Sequence, residues 1–320
     1  MLMNCQLILS IEVEQKKGQG EDSAACVVVP NKSAFIAAFD GCGGAGSKKY
    51  SVAENWTGAR IASFSCAQTM VDWFYDNKID KLGLQSYPSQ SVASSLKQAL
   101  SERIYELKQL TSADTGRLVL SNMVKPFPTT LSSALVSYDN NVVRCLMMWA
   151  GDSRGYVFSD RGLYQITRDD LKGDIDPFDN IEQDGVLSNV VSGNDFHINV
   201  KDLNINDKCI LIVATDGCFG YLRSPMEFEL NLLSTLMNAR SLNEWERTLS
   251  DRMGAQAADD YTLLALAIGF ESFDQIKNHY RNTFNRSQEL YGKCMNPNTN
   301  QNELREMWNK YKQDYMWGNK

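Results

Sequence analysis

Acidic residues stand where apolar, strand-like runs begin or stop, and they do so at places far apart in the chain. Ser33 to Phe39 ends in Asp40-Gly41, Cys145 to Ala150 ends in Gly151-Asp152, and Cys209 to Thr215 ends in Asp216-Gly217. Asp259-Asp260 comes before the run Leu263 to Phe270, and Glu21-Asp22 before Ala24 to Val29. If these runs share a sheet or a pair of sheets, their carboxylates converge. Such a cluster repels itself unless cations neutralise it or protons are taken up. Oxygen ligands without a His or Cys cluster favour magnesium or manganese over zinc. The pattern therefore predicts a polynuclear metal site.

A chain of 320 residues is long for one core and short for two generous domains, so one large domain with an appendage is expected. The net charge is −7 and the Lys and Arg residues are dispersed, which argues against a nucleic-acid surface. The cysteines, at Cys5, Cys26, Cys42, Cys66, Cys145, Cys209, Cys218 and Cys294, show no paired CxxC spacing. They read as free thiols in a reducing compartment. Met1 to Ser10 is apolar but lacks a basic leader and soon meets Glu12 and Glu14, so it reads as a first strand. No run approaches the roughly 18 apolar residues of a membrane span. A soluble cytoplasmic protein is expected, with no nucleic-acid or membrane partner and an oligomeric state left open.

Strand-like runs recur at Cys5 to Val13, Ala24 to Val29, Ala34 to Phe39, Ser132 to Tyr138, Val142 to Ala150, Gly155 to Phe158, Ile210 to Ala214 and Leu263 to Ile268. Helical patterns lie at about Val52 to Tyr75 and Val92 to Leu110, with further helices at Pro225 to Leu236 and Leu242 to Leu249. Strands, then helices, then strands again predict an α+β fold with helices outside the sheets. The stretch Asp169 to Asp184 carries Asp169, Asp170, Asp174, Asp176, Asp179, Glu182 and Asp184 against Lys172 alone. No register there supplies both the Gly and the Glu of an EF-hand, so it reads as a solvated loop or flap near the site. Beyond Phe270 the chain turns polar, with a break at Asn296 to Asn302 and a helix over about Glu303 to Tyr315. Leu304, Trp308, Tyr311 and Tyr315 form one stripe of that helix, expected to pack on the parent domain.

Seven short segments resemble, in order, the motifs of the metal-dependent protein phosphatases, the PPM or type 2C family. They are Gly20-Glu21-Asp22, Phe39-Asp40-Gly41-Cys42-Gly43-Gly44, Thr129-Thr130-Leu131, Ala150-Gly151-Asp152-Ser153-Arg154, Gln165-Ile166-Thr167-Arg168-Asp169, Ala214-Thr215-Asp216-Gly217 and Asp259-Asp260-Tyr261-Thr262. Each is weak alone; their order carries the resemblance. It implies a sandwich of two antiparallel β-sheets flanked by helices. Residues 1–270 would form the catalytic domain and residues 271–320 a C-terminal helical extension.

The resemblance further implies two to three Mg2+ or Mn2+ ions. Asp40 would bridge two of them, with Glu21, Asp216, Asp259 and the Gly41 carbonyl as companions, Asp152 on a third ion and Asp22 orienting from behind. The implied reaction is hydrolysis of phosphoserine or phosphothreonine by attack of a metal-activated water. The implied substrate is a phosphoprotein made by a Ser/Thr kinase, and the implied kinship is with bacterial members.

Two positions depart from the family pattern. Cys42 stands where many eukaryotic relatives carry a His that protonates the leaving alkoxide. A thiol is a poor copy of imidazole in that role. Lys17 stands four residues before Glu21, where the family often places a phosphate-clamping Arg, and lysine lacks the bidentate fork. These departures leave open a phosphatase-like binding module without turnover, a pseudophosphatase. A third reading takes Gly151-Asp152-Ser153-Arg154-Gly155 as a serine-hydrolase elbow, with Asp216 and His279 following. An elbow must lead from strand into helix, whereas Tyr156 to Phe158 reads as strand.

Overall fold

The computed structural model describes residues 4–84, 87–112, 126–139, 142–173, 175–183, 185–193 and 195–316. Asp174 and Asp184 of the acidic stretch, and the side chain of Glu182, lie outside the described residues. In chain order the elements are β1 (Cys5–Val13), β2 (Ser23–Val29), β3 (Ser33–Phe39), α1 (Gly43–Gly46), β4 (Lys49–Tyr50), β5 (Trp56–Thr57), α2 (Gly58–Asp76), α3 (Ile79–Leu82) and α4 (Ser89–Leu110). There follow β6 (Leu131–Asp139), β7 (Val142–Ala150), β8 (Arg154–Ser159), β9 (Gly162–Gln165), α5 (Pro177–Gln183), β10 (Asn199–Ile205) and β11 (Cys209–Ala214). The chain closes with α6 (Pro225–Asn238), α7 (Leu242–Gly254), β12 (Tyr261–Ile268), α8 (Phe273–Tyr291) and α9 (Gln301–Tyr315).

Ten of these strands form two antiparallel five-stranded sheets. The first has the order β1-β12-β11-β8-β9 and the second β10-β7-β6-β3-β2. The central strands are apolar on both faces because each sheet is covered twice. In β3, Ala34, Ile36 and Ala38 face the other sheet, while Phe35, Ala37 and Phe39 face helices. In β12, Leu264, Leu266 and Ile268 point between the sheets, while Leu263, Ala265 and Ala267 point to the opposite helical layer. The period-2 alternation of a strand thus separates two apolar layers. Helices α2 and α4 cover the second sheet with Met70, Phe74, Leu96 and Leu100. Helices α6 to α9 cover the first with Leu233, Trp245, Tyr280 and Trp308. The sandwich with helices on both outer faces is the expected architecture.

Local chemistry explains the helix starts. Thr57 accepts the N–H of Arg60 (3.2 Å) to begin α2, and Ser241 and Ser272 do the same for α7 and α8. Asn300 and Glu303 form a reciprocal capping box at α9.

Several elements escape the sequence reading. The helix expected from Val52 starts at Gly58, because the short β4–β5 hairpin intervenes. Strand β10 alternates polar residues along an edge, with Lys201 and Asp202 exposed, so it lacks an apolar run. Helix α8 lies in the stretch read as polar tail, and its buried stripe is Ile276, Tyr280, Thr283 and Ser287. The acidic stretch is not simply a solvated loop. It contains α5, buries Phe178, and is closed by a bridge between Leu171 and Leu187. The stripe Leu304, Trp308, Tyr311 and Tyr315 is buried throughout.

Candidate functional site

Strand register brings the acid-bearing ends to one end of the sandwich. In the second sheet Ser23 lies opposite Phe39, and Leu131 opposite Ala150. In the first, Val13 faces Tyr261, and Ala214 faces both Leu263 and Arg154. The residues just beyond these pairs are Asp22, Asp40, Asp152, Asp216 and Asp260.

Asp40 sits at the centre. Its carboxyl is pushed well above the usual carboxylate range by burial, then by the charges of Asp216, Asp22, Asp152 and Asp259. Its backbone is fixed by two threonines. The Asp40 N–H donates to Thr130 Oγ1 (3.0 Å), and Thr129 Oγ1 donates to the Asp40 carbonyl (2.8 Å). Thr130 Oγ1 also hydrogen-bonds Ser153 Oγ (2.6 Å), tying the Asp40 turn to the loop that carries Asp152. Gly151 in that loop has φ +100°, and a Cβ there would stand 2.8 Å from Thr130 Cγ2.

Asp152 is likewise pushed well up by burial, Asp216 and Asp169, and its Oδ1 is shut from solvent with no hydrogen-bond partner. A buried, unpartnered carboxylate oxygen is costly unless a cation or proton meets it.

On the first-sheet side, Thr215 Oγ1 donates to Asp22 Oδ2 (2.7 Å) and accepts the N–H of Thr262 (2.9 Å). Burial raises the Asp22 carboxyl to about 8 against that hydrogen bond, with Asp216 adding to the rise. Asp216 opens a 3-10 turn, Asp216–Cys218, that packs so tightly on the Asp260 carbonyl that a Cβ at Gly217 would lie 1.9 Å from its oxygen. Asp260 reaches across to the β1–β2 turn, accepting the N–H groups of Gln15 and Glu21 (2.7 Å each). It thereby places Glu21 beside Asp259. Thr57 Oγ1 donates to Glu21 Oε1. Burial raises Glu21, Thr57 opposes the rise, Asp260 and Asp259 add to it, and Arg60 lowers it. A Cβ at Gly43 would stand 2.2 Å from Glu21 Oε2, and one at Gly41 2.7 Å from the Glu21 carbonyl, so both glycines make room for this residue.

The oxygens available to a hard cation are thus those of Glu21, Asp40, Asp152, Asp216 and Asp259, with the Gly41 carbonyl nearby in chain. Among the described residues no three His, Cys, Asp or Glu side chains close around one point as a finished cage. Ions such as magnesium are held through one or two carboxylates and keep several waters, so a shared acidic basin suits them better than a closed cage. An opposing cation is scarce here: Arg60 stacks over Trp56 (4.3 Å) and its Nη2 lies 3.5 Å from Glu14.

The two departing positions differ in setting. Lys17 is exposed in a turn closed by the Gln19 N–H donating to the Lys16 carbonyl (2.9 Å). Cys42 is half-buried at the start of α1, its N–H donating to the Pro128 carbonyl (3.1 Å). None of the eight cysteines is in a disulfide, and Cys66, Cys145, Cys209, Cys218 and Cys294 are buried. Ser153 leads into strand β8 rather than a helix and is almost fully buried. That geometry overturns the serine-hydrolase reading, because an elbow serine must stand exposed. Sequence reasoning missed Thr57, Thr130, Thr215 and Asp260 as orienting groups. Only the motif positions of Thr130, Thr215 and Asp260 offered a signal. No helix among the described residues is long and apolar enough to cross a membrane.

This fold is that of the PPM-type serine/threonine phosphatases. Among the solved structures it resembles are the serine/threonine phosphatase Stp1 from Staphylococcus aureus, at 17% identity over 85% of this chain and 96% of that one, with a TM-score of 0.58. The Mycobacterium tuberculosis phosphatase PstP/Ppp matches at 16% identity over 82% and 98%, with a TM-score of 0.56. The catalytic domain of PstP in complex with two manganese ions matches at 14% identity over 84% and 100%, also at 0.56. No family model and no curated protein matches the sequence.

Proposed function

We propose that this chain is a divalent-metal-dependent phosphatase that removes phosphate from serine or threonine of proteins. The observation that carries the reading is the convergence of Asp22, Asp152, Asp216 and Asp259 on Asp40, with Asp152 Oδ1 buried and unpartnered. That donor set fits magnesium or manganese, and PstP, of the same fold, holds two manganese ions. When bound, such ions would neutralise the phosphoryl oxygens and acidify a water for in-line attack.

The residues have distinct tasks in this reading. Asp40 contributes the central carboxylate, and Glu21, Asp216, Asp259 and the Gly41 carbonyl surround it. Asp152 serves a third position. Asp22, oriented by Thr215, sets the charge behind them. Thr129 and Thr130 lock the Asp40 backbone so that its carboxylate need not reorganise during reaction. Lys17 offers a solvated charge rather than a phosphate fork, and Cys42 a thiol where relatives have imidazole. Residues 1–270 would then carry the chemistry, with 271–320 as an appended helical region. The substrate would be the product of a Ser/Thr kinase.

The departures at Lys17 and Cys42 favour a second reading, a phosphatase-fold module that binds without turnover. One experiment separates them: hydrolysis of a phosphothreonine peptide and of nitrophenyl phosphate, with and without manganese, in wild type and Asp40→Asn. Manganese-dependent release lost in the variant is expected. Manganese binding with no release from either substrate would give the second reading the field.

A further inference from the structure

The acidic stretch after Asp169 is gripped from two sides. On the cleft side Asp170 Oδ2 accepts the N–H of Gly151 (3.0 Å), the residue before Asp152, and side-chain amides of Asn189 (2.7 Å) and Asn199 (3.0 Å) hold the same oxygen. On the far side stands α9. Trp308 Nε1 donates to Asp176 Oδ1 (2.6 Å), and its ring stacks on Phe178 with centroids 6.1 Å apart. The Arg305 guanidinium lies 4.3 Å over the same Phe178 ring and pairs with Asp179. Lys312 Nζ is 3.4 Å from Asp176 Oδ2. Just past α9, Met316 bridges in parallel to Gln165 of edge strand β9, whose side chain donates to Asp169 Oδ1 (3.2 Å).

Helix α5, at seven residues, is too short to persist alone. Within the stretch it is tied by polar contacts: Asn180 Nδ2 donates to Asp169 Oδ2 (3.1 Å), Asn180 Oδ1 accepts the Gly185 N–H (3.1 Å), and Leu171 bridges Leu187. The ring and charge contacts that hold its outer side come from α9. We propose that α9 is the strut that holds this flap at the rim of the carboxylate cleft, with Trp308 and Arg305 as positioning residues for a protein-sized phosphate substrate. The proposal rests on the phosphatase reading of the cleft. A small aryl phosphate needs only the cleft floor, whereas a phosphorylated segment of protein must lie along the rim that the flap forms. Loss of the strut therefore raises KM for a phosphopeptide and leaves turnover of the small substrate intact.

The test uses the full chain with manganese in three forms: Trp308→Phe, which keeps an aromatic ring but removes the indole N–H and part of its bulk, Arg305→Glu, and Arg305→Glu combined with Asp179→Arg. Hydrogen exchange and steady-state kinetics are read on each. Expected for Arg305→Glu is amide exchange across 175–183 faster by roughly 5-fold, with β3 and β11 unchanged, on the scale of losing and reversing a partly exposed ion pair. Phosphopeptide KM rises by a similar factor while kcat for nitrophenyl phosphate stays within about 2-fold. The reversed pair restores both, and Trp308→Phe shifts them in the same direction as Arg305→Glu. Unchanged flap exchange in both single variants overturns the proposal, as does an equal fall on both substrates. A wild type that turns over neither substrate defeats the phosphatase reading instead, and the exchange measurement then decides on the strut by itself.

Discussion

Two groups of buried carboxylates lie close together and are treated in opposite ways. Around the strut, negative charge is met donor by donor. Asp169 receives Nε and Nη2 of the buried Arg154 (2.7 Å at closest), Gln165 and Asn180. Glu229 of α6 accepts Ser287 Oγ (2.6 Å), Tyr311 OH and the Leu163 N–H (3.2 Å). In the cleft, Asp40 and Asp152 face other acids, and Asp152 Oδ1 meets no partner. A carboxylate satisfied completely in one place and left open in another matches the ligand role proposed for the second. The comparison teaches that the crowding of acids on one another, rather than burial, sets the cleft apart.

The strongest way to break this contrast is Asp40→Asn. On the proposed function, turnover should fall by about 1,000-fold or more, because Asp40 holds the central place in that reading. The metal-free variant should melt above metal-free wild type, because Asn removes a carboxyl that must either stay charged among other acids or take up a proton on folding. Calorimetry in chelator reads the second effect, and a lower melting point would contradict the account of the cleft.

Arg154→Met attacks the other group. It strands Asp169 in a buried site and should cost about 3–5 kcal/mol of stability, read by urea unfolding. A loss under about 1 kcal/mol would mean that Gln165 and Asn180 suffice.

Acidity sharpens the contrast further. Asp22 is raised to about 8 in the folded chain, above its value of near 4 when unfolded. The folded state therefore binds the extra proton, so stability is fully present at acid pH and is lost as pH rises through that window. Metal-free protein should lose about 1.4 kcal/mol per pH unit for each such carboxyl between roughly pH 5 and 8. Added manganese should flatten the slope, and denaturation curves at stepped pH check it. Glu229→Gln is the mildest change. It converts one acceptor into a donor facing donors and should cost about 1–2 kcal/mol by the same unfolding assay.

Much of this was legible in the chain. Central strands such as β3 and β12 announced themselves because both faces are apolar. The acids stood out because each closes or opens such a run. What stayed hidden depended on partners remote in sequence. Edge strand β10 exposes Lys201 and Asp202 at successive, opposite-facing positions, so no apolar run marks it. Helix α8 buries Thr283 and Ser287, residues that look like surface, because their hydroxyls meet Asp160 and Glu229 far away. Asp260 looked like a duplicate of Asp259 until the fold showed it holding the N–H groups of Gln15 and Glu21. Motif order found the acids, while the hydrogen bonds that aim them were readable only in three dimensions.

The pairing of β1 has a consequence for the order in which the molecule comes into being. Within its sheet β1 pairs with β12, the last strand among the described residues, whereas β2, β3, β6 and β7 of the other sheet are joined neighbour to neighbour. On a ribosome the second sheet can assemble while synthesis continues, but β1 must wait for almost the whole fold to emerge. Asp259 arrives with β12, so the full ring of acids exists only once β12 has emerged. The crowding of acids on Asp40 is thereby completed only after both sheets have the strands that confine it.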